Sequence, residues 1–432
     1  MFGKLKQGGE YDVIVCGCGS AGFTAAVQAA RAGANTAVVE RYGMPGGIMT
    51  VGGNNDVAQF HAYHKQVIAG IGWEFIERLS ALGYAPIPDM TVDAPHWKYG
   101  IRVNIPAAAY MMDTMLTEAG VALYYGQNAV EVTVSGEGES RRVDGIIIST
   151  KDGLVRLGAK TVIDCTGDGD ICCWAGAVYE LGETLQPGTI RFYPDKRLPD
   201  DETVAAIDSE LKAAHSDGRL DNEYRFPSSL RDIIASEGCN RNHINDFNAA
   251  DSDSMTYAEI DGRRAIFALM ETLGENARID NIAPTVAPRE TRRILCDHYI
   301  TCDEYVDAVE HEDDICYSFY PIDLHRAGRQ SIKQVFLTHG RVPRIPYSAL
   351  TVKGFENLLV AGRCASGDRL ANSAYRVKAS CMAMGQAAGA AAALAARGHG
   401  GDIRAVDIAD IRRLTADNGA IVPGVNDAHL YE

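Results

Sequence analysis

The run Tyr11-Asp12-Val13-Ile14-Val15-Cys16-Gly17-Cys18-Gly19-Ser20-Ala21-Gly22-Phe23-Thr24 continues through an alanine-rich stretch to Gly33, then to Thr36-Ala37-Val38-Val39-Glu40. Tyr11–Cys16 has the length and β-branched content of a buried strand. Gly17 to Gly22 spells G-x-G-x-x-G, with Ser20 and Ala21 between its last two glycines. Thr24–Ala32 reads as a helix of small residues, with Gly33 placed to end it. A second strand follows and closes on an acid. Strand, glycine turn, helix, strand and acid in this order make a dinucleotide-binding βαβ unit. Gly17 permits the tight turn, Gly19 leaves the backbone open to a pyrophosphate, and Gly22 lets helix and strand approach. The helix N-terminus offers unpaired N–H groups to phosphates, and Glu40 can accept hydrogen bonds from ribose hydroxyls.

Composition limits the partners. The chain has 432 residues, of which 46% are hydrophobic and 23% charged, so it can bury a large core. A formal net charge of −16 argues against nucleic acid or an anionic membrane as a partner. An anionic cofactor must therefore be held by local devices. Eleven cysteines without a C-x-x-C spacing predict neither a disulfide framework nor a ferredoxin-type cluster. With no apolar N-terminal core and no full membrane span, a reducing cytoplasm is the expected setting.

Further along, the glycine-rich loop Arg41–Gly53, with Gly46 and Gly47, suggests close approach to a ligand. Val57–Leu82 has helical spacing (Val67, Ile71, Phe75, Leu79), and Ile105-Pro106 opens a helix through Glu118. Strands are expected at Val121–Tyr125 and Ala129–Val134. Val143–Thr150 and Leu154–Leu157 read as a hairpin. Thr161–Asp164 reads as a separate buried strand running into Cys165-Thr166-Gly167-Asp168-Gly169-Asp170, a second glycine turn before a short helix. Residues 191–344 are more charged and proline-scattered and read as an insertion. Within them Arg263–Glu271 reads as helix, Asp217–Glu223 as exposed chain, the Arg289/Arg292/Arg293 group as ion-pairing arginines on a helix face, with binding of an anionic substrate as the alternative, and Glu310–Asp314 as a solvated loop. Asn357–Val360 is a further strand, ending in Ala361-Gly362-Arg363-Cys364. A loop then carries Tyr375 and Arg376 to a close-packing helix, Cys381–Ala396. Three strand–turn–helix units converging on one ligand suggest a long dinucleotide such as FAD, since an NAD enzyme needs only the first.

On VIVCGCGSAG, VVE…PGG, VIDCTGDGD, APRETRRI, YPIDLH and NLLVAGRCASG…SAYRVKASCMAMGQAAG, the chain resembles the FAD-dependent oxidoreductases, across nearly its whole length. Its likeness to the wider glutathione-reductase and fumarate-reductase superfamily is looser. The resemblance implies an α/β fold: a Rossmann-like FAD-binding domain (1–55, 102–190, 345–400) with an interleaved α+β substrate or cap domain (56–101, 191–344) and a C-terminal segment (401–432). It implies that Gly17, Gly19, Gly22 and Glu40 hold pyrophosphate and ribose, with Arg41 beside the adenosine. Gly46 and Gly47 would run near the flavin, and Val130 would meet adenine through its backbone. Gly167 and Asp168 would pass near the pyrophosphate or ribityl chain, and Gly362, Arg363, Gly385, Gln386 and Ala387 would lie by the ribityl and flavin ring. The N-terminus of the last helix would stabilise an anionic reduced flavin.

The implied activity is two-electron transfer between flavin N5 and a small polar metabolite. The alternative is an electron-transfer subunit or a flavoprotein using FAD in an accessory, non-redox role. The chain shows neither a second nicotinamide-binding fingerprint nor a C-x-x-x-x-C redox pair, so a separate, unidentified donor or acceptor is expected. Candidates for proton transfer or substrate polarisation are His325, Arg376, His61, His64 and Tyr375. Cys364 reads as packing, with a redox role as the alternative. His61-x-x-His64 lacks a matching acid or cysteine, so no metal is expected. A homo-oligomer stays open.

Overall fold

The computed structural model describes residues 5–221, 225–235, 242–326 and 332–431. Cys239, and residues 222–223 of the stretch read as exposed, lie outside them.

Strand β1 (Lys6–Cys16) leads through the glycine turn into helix α1 (Ser20–Arg31) and strand β2 (Thr36–Glu40). Helices α2 (Ile71–Ala81) and α3 (Ile105–Glu118) follow, then strands β3 (Ala122–Tyr125), β4 (Asn128–Ser135), β5 (Arg142–Thr150) and β6 (Gly153–Asp164). Short helix α4 spans Asp170–Trp174. Helices α5 (Asp201–Asp217), α6 (Leu230–Ala235), α7 (Ser252–Leu273) and α8 (Cys302–Asp307) precede strands β7 (Ile322–His325) and β8 (Leu358–Val360). Helices α9 (Arg369–Tyr375), α10 (Lys378–Gly398) and α11 (Ile408–Asp417) complete the chain.

The seven-stranded sheet runs β3-β2-β1-β6-β5-β4, with β8 also paired to β6. Strands β3, β2, β1, β6 and β8 are parallel, and β6-β5-β4 continue as an antiparallel meander. Because strand side chains alternate between faces, Val13, Val15, Val38, Ile163 and Leu359 enter one core while Ile14, Val39, Val162, Leu358 and Val360 enter another. The parallel strands are buried on both sides, as helix-covered sheets require. A third core, from Ile190 to Val286, is built chiefly by α5, α6 and α7. Within 191–344, by contrast, Ile300, Tyr305, Ile315, Tyr317 and Ile322 bury themselves in the first core.

Several sequence expectations need correction. Residues 57–66 are not the start of a helix. Two-residue strands occupy Asp56–Val57, His61–Ala62 and Lys65–Gln66, and the helix begins only at Ile71. Leu154–Leu157 and Thr161–Asp164 form one strand, β6, whose first half pairs antiparallel with β5 and whose last residues pair parallel with β8. Tyr375 ends helix α9, where a loop was expected, because Asp368 caps the helix by accepting from the Leu370 and Ala371 N–H groups. The arginines of 289–293 are not on a helix; Arg293–Ile294 is a short strand. Asp314 is buried rather than solvated, at 1% exposure.

Helix α10 is the element among the described residues long and apolar enough to cross a membrane, and most of its apolar length is buried inside the fold. It crosses α1 with backbones nearly touching. A Cβ at Gly389 would collide with the Ala25 backbone, and one at Gly385 with the Ala21 carbonyl. Gln386 fills the gap beside them, accepting from the Ile71 N–H (3.0 Å) and donating to Gln28 Oε1 (3.1 Å).

Candidate functional site

A cavity of about 880 Å³ runs from the glycine turn to the insertion. Its first wall is built as a phosphate site. Gly17 turns the chain with φ +91°, and a Cβ there would strike the Cys165 carbonyl. A Cβ at Gly22 would overlap the Gly17 oxygen, so only glycine lets α1 start here. Gly19 is different: a Cβ would meet no protein atom within 4 Å, because that face opens on the cavity. No side chain caps α1 and no acid sits in its first turn. Its first N–H groups therefore face the cavity available to an anion.

Glu40 stands 4% exposed at the end of β2. Its Oε2 accepts from the Cys18 N–H (2.6 Å) and its Oε1 from the Tyr42 N–H (2.9 Å). Burial raises its pKa, against the lowering effect of these bonds and of Arg41. Each carboxylate oxygen keeps a further lone pair for ribose hydroxyls. The Gly46 N–H donates to the Cys18 carbonyl (2.7 Å), and Gly47 runs so close to Gly19 that a Cβ would stand 3.2 Å from its Cα.

Asp168 gathers the second turn. It takes Arg363 Nη2 at 2.7 Å and Thr291 Oγ1 at 2.9 Å, with Arg41 at 3.8 Å. Arg363 also donates to the Gly167 carbonyl (2.9 Å), which ties the second and third glycine turns together.

The residues expected to bind the cofactor divide clearly. Gly17, Gly19, Ser20, Ala21, Glu40, Arg41, Gly46, Gly47, Val130, Gly167, Gly362 and Arg363 all line the cavity. Gly22 and Asp168 shape it from behind. Gly385, Gln386 and Ala387 do not reach it. The helix carrying them begins at Lys378, so they lie two turns in, where small size serves the crossing with α1. It is Val377, Lys378 and Cys381, at the start of α10, that line the cavity. Val377 supplies no side-chain cap, and of the first N–H groups that of Ala379 donates to the Ala58 carbonyl (3.1 Å).

Of the five catalytic candidates, His325 and Arg376 are brought to the cavity. His61 packs edge-on against Trp73 (5.3 Å between ring centroids) and His64 lies outside, bonded to the Met90 carbonyl and Asp93. Tyr375 is fully buried, its hydroxyl donating to the Ala365 carbonyl. Cys364 is buried in the second core and its thiol is pushed up by burial, which leaves it protonated and inert.

His325 Nε2 sits 3.3 Å from Asp323 Oδ2, while its Nδ1 has no hydrogen-bond partner. Burial, helped by the positive charge of Arg289, pushes its pKa down to about 4. The imidazole is therefore neutral at neutral pH. Burial opposes ionisation of Asp323, but the hydrogen bond of His325 and the charges of Arg376 and Arg289 hold it below the usual carboxylate value. Gln186 Oε1 accepts from both the His325 N–H and Arg376 Nη2, each at 3.2 Å, and so sets the two side by side.

Sequence reading missed Asp56, Arg191 and Lys378 and favoured ion pairing over anion binding for Arg289. All four line the cavity. Lys378 Nζ donates to the Asp56 carbonyl (2.8 Å), and burial pushes its pKa down to about 8. Burial raises that of Asp56. Arg191 Nη1 donates to the Gly53 carbonyl and Asn55 Oδ1, and Arg289 Nη1 to the Pro187 carbonyl and Thr189 Oγ1. No local pattern flags these residues.

The residues fit FAD: an open glycine turn at a helix N-terminus, an acid at the end of β2, a second glycine turn, and a second helix N-terminus on the cavity wall. Comparison agrees. A family model described as FAD dependent oxidoreductase matches residues 12–414. Increased recombination centers protein 15 of Saccharomyces cerevisiae is 30% identical over 159 residues, which are 36% of this chain and 30% of that one. The match thus spans under a third of that relative's length. Among solved structures, a geranylgeranyl bacteriochlorophyll reductase-like protein of Thermoplasma acidophilum is 12% identical, covering 98% of this chain and 94% of its own, at a TM-score of 0.43. The OxyS anhydrotetracycline hydroxylase of Streptomyces rimosus is 13% identical, covering 95% and 66%, at 0.41. These scores carry no argument about substrate.

Proposed function

Because the chain belongs to the FAD-dependent oxidoreductase family, we propose that it moves two electrons, as a hydride, to or from a small carboxylated and hydroxylated metabolite, with a separate donor or acceptor closing the cycle. FAD, when bound, supplies the hydride-exchanging centre at N5. The observation that carries the substrate class is charge. Seven cations, Arg41, Arg191, Arg289, Arg292, Arg363, Arg376 and Lys378, line the cavity against four acids, Glu40, Asp56, Asp170 and Asp323. Such an excess of cations favours an anionic ligand, although the chain as a whole is strongly acidic.

Arg376 and Arg289 would bind the carboxylate, since guanidinium matches it with paired donors. His325 would move the substrate proton at Nδ1. Asp323 holds the opposite nitrogen, Nε2, at 3.3 Å, which favours the tautomer with the proton there and the lone pair on Nδ1. Cap residues Thr189, Ala287 and Pro288 also line the cavity and would exclude water from the exchange.

The test is anaerobic bleaching of the purified yellow protein across hydroxy acids, amino acids and sugars. Bleaching by an acid and not by its amide or by neutral sugars is the expected result. Bleaching by sugars alone would overturn the anionic class, and no bleaching by any compound would overturn substrate oxidation.

A further inference from the structure

Outside the cavity, His298, Glu304 and His311 turn their ligand atoms to one point, all within 4.8 Å of one another. Glu304 Oε1 lies 2.6 Å from His298 Nε2 and 2.7 Å from His311 Nε2. None of the three lines the FAD cavity. The arrangement is held from behind. Glu304 Oε2 accepts from the Thr301 N–H in a capping box at the start of α8. The His298 N–H donates to the Ser348 carbonyl, and its own carbonyl accepts from Ser366 Oγ.

A second observation concerns protons. His311 Nδ1 and Asp314 Oδ1 face each other at 3.6 Å, and both are buried without a hydrogen-bond partner. Asp314 is 1% exposed, and its other oxygen accepts from the His311 N–H (2.8 Å). If neutral His311 donates from Nε2 to Glu304, its Nδ1 is a bare acceptor aimed at a carboxylate. Two buried acceptors facing each other are costly. A cation on Nε2 removes the conflict, because the proton then moves to Nδ1 and can be donated to Asp314. This carboxylate–histidine–metal relay is the usual support of a metal-bound imidazole.

We propose that His298 Nε2, His311 Nε2 and Glu304 Oε1 form a binding site for a divalent transition metal of the zinc class, with water as the fourth ligand and Asp314 as a positioning residue for His311. Two imidazoles and one carboxylate suit zinc and disfavour calcium or magnesium, which take oxygen ligands. Zinc bonds of about 2.0–2.1 Å place tetrahedral ligands roughly 3.3 Å apart. Glu304 therefore withdraws by about 0.6 Å from each imidazole, a side-chain adjustment at a partly exposed position. The site would clip the loop before α8 to the loop holding His311.

The experiment uses the full-length, FAD-loaded protein. After dialysis against a chelator it is reloaded with zinc, and bound metal is counted by mass spectrometry. One zinc per chain is expected, falling at least tenfold in stoichiometry in His298→Ala and His311→Ala while flavin content stays constant. Asp314→Asn should keep the stoichiometry but weaken affinity about 10–100-fold. Cobalt loading should add ligand-field bands at wavelengths beyond the flavin absorption, and these should vanish in Glu304→Gln. Should the histidine variants fail to fold, anomalous scattering at the zinc edge from wild-type crystals should put a peak between His298 and His311. No zinc uptake by the wild type, equal uptake by the histidine variants, or a peak elsewhere would each overturn the proposal.

Discussion

Thr24 Oγ1 donates a 2.7 Å hydrogen bond to the carbonyl of Met382, 358 residues later in the chain. It joins the helix that starts the dinucleotide turn to the helix that ends the FAD lobe. The bond forms where α1 and α10 approach most closely, next to Gly385. Both helix N-termini on the cavity wall are therefore positioned by one crossing.

Gly385→Ala should open that crossing. Its Cβ would collide with the Ala21 carbonyl and stand 2.6 Å from Thr24 Oγ1. Destabilisation of about 1–3 kcal/mol is expected from such overpacking, together with weaker FAD retention because α1 shifts. Thr24→Val should cost less, about 0.5–1.5 kcal/mol for one hydrogen bond. Urea unfolding with flavin fluorescence checks both.

Gly19 and Gly22 should respond differently to the same substitution. Gly19→Ala places its methyl in open cavity, so apo-protein stability should change by no more than about 0.5 kcal/mol. FAD affinity should fall about tenfold or more, some 1.4 kcal/mol. Gly22→Ala overlaps the Gly17 oxygen and should lower stability itself. Equal stability losses in the two variants would contradict the assignment.

His325 predicts a pH dependence. Its pKa in the fold is about 4 against an ordinary 6.5, so folding favours the neutral form. That stabilisation is fully present above pH 6.5 and is lost as pH falls through 4, amounting to about 3 kcal/mol at 1.36 kcal/mol per unit. Unfolding free energy should fall over this window and fall less in His325→Asn. The same variant should slow anaerobic flavin reduction about 10²–10⁴-fold with FAD content unchanged, as stopped-flow absorbance would show.

Arg376→Gln should raise the apparent KM for the bleaching substrate about 10–100-fold, the loss of one charge-assisted contact. Neutral analogues should show little change. Steady-state kinetics on an acid and its amide separates these effects.

The local signals were legible because each depends on a few neighbouring residues. Apolar runs gave β1, β2 and β8, the positive φ of Gly17 required glycine, and Pro106 sits in the first turn of α3. The same reasoning failed at 57–66, where apolar spacing resembled a helix but short pairings, such as Asp56–Val57 with Ile101–Arg102, prevailed. It also misplaced Gly385, since small residues look alike whether they face a cofactor or another helix.

By itself the sequence determined the FAD lobe: its glycine turns, the acid at Glu40 and the parallel strands that carry them, because spacing and backbone conformation are properties of adjacent residues. Only the tertiary structure decided which charged residues share the cavity with those turns. Asp56, Arg191, Arg289, His325 and the pair Arg376 and Lys378 come from five separate places in the chain and meet at one cavity. The shifted acidities of Asp56, His325, Arg376 and Lys378 arise from burial and from neighbouring charge. Such effects depend on distance through space, which residue order alone does not encode.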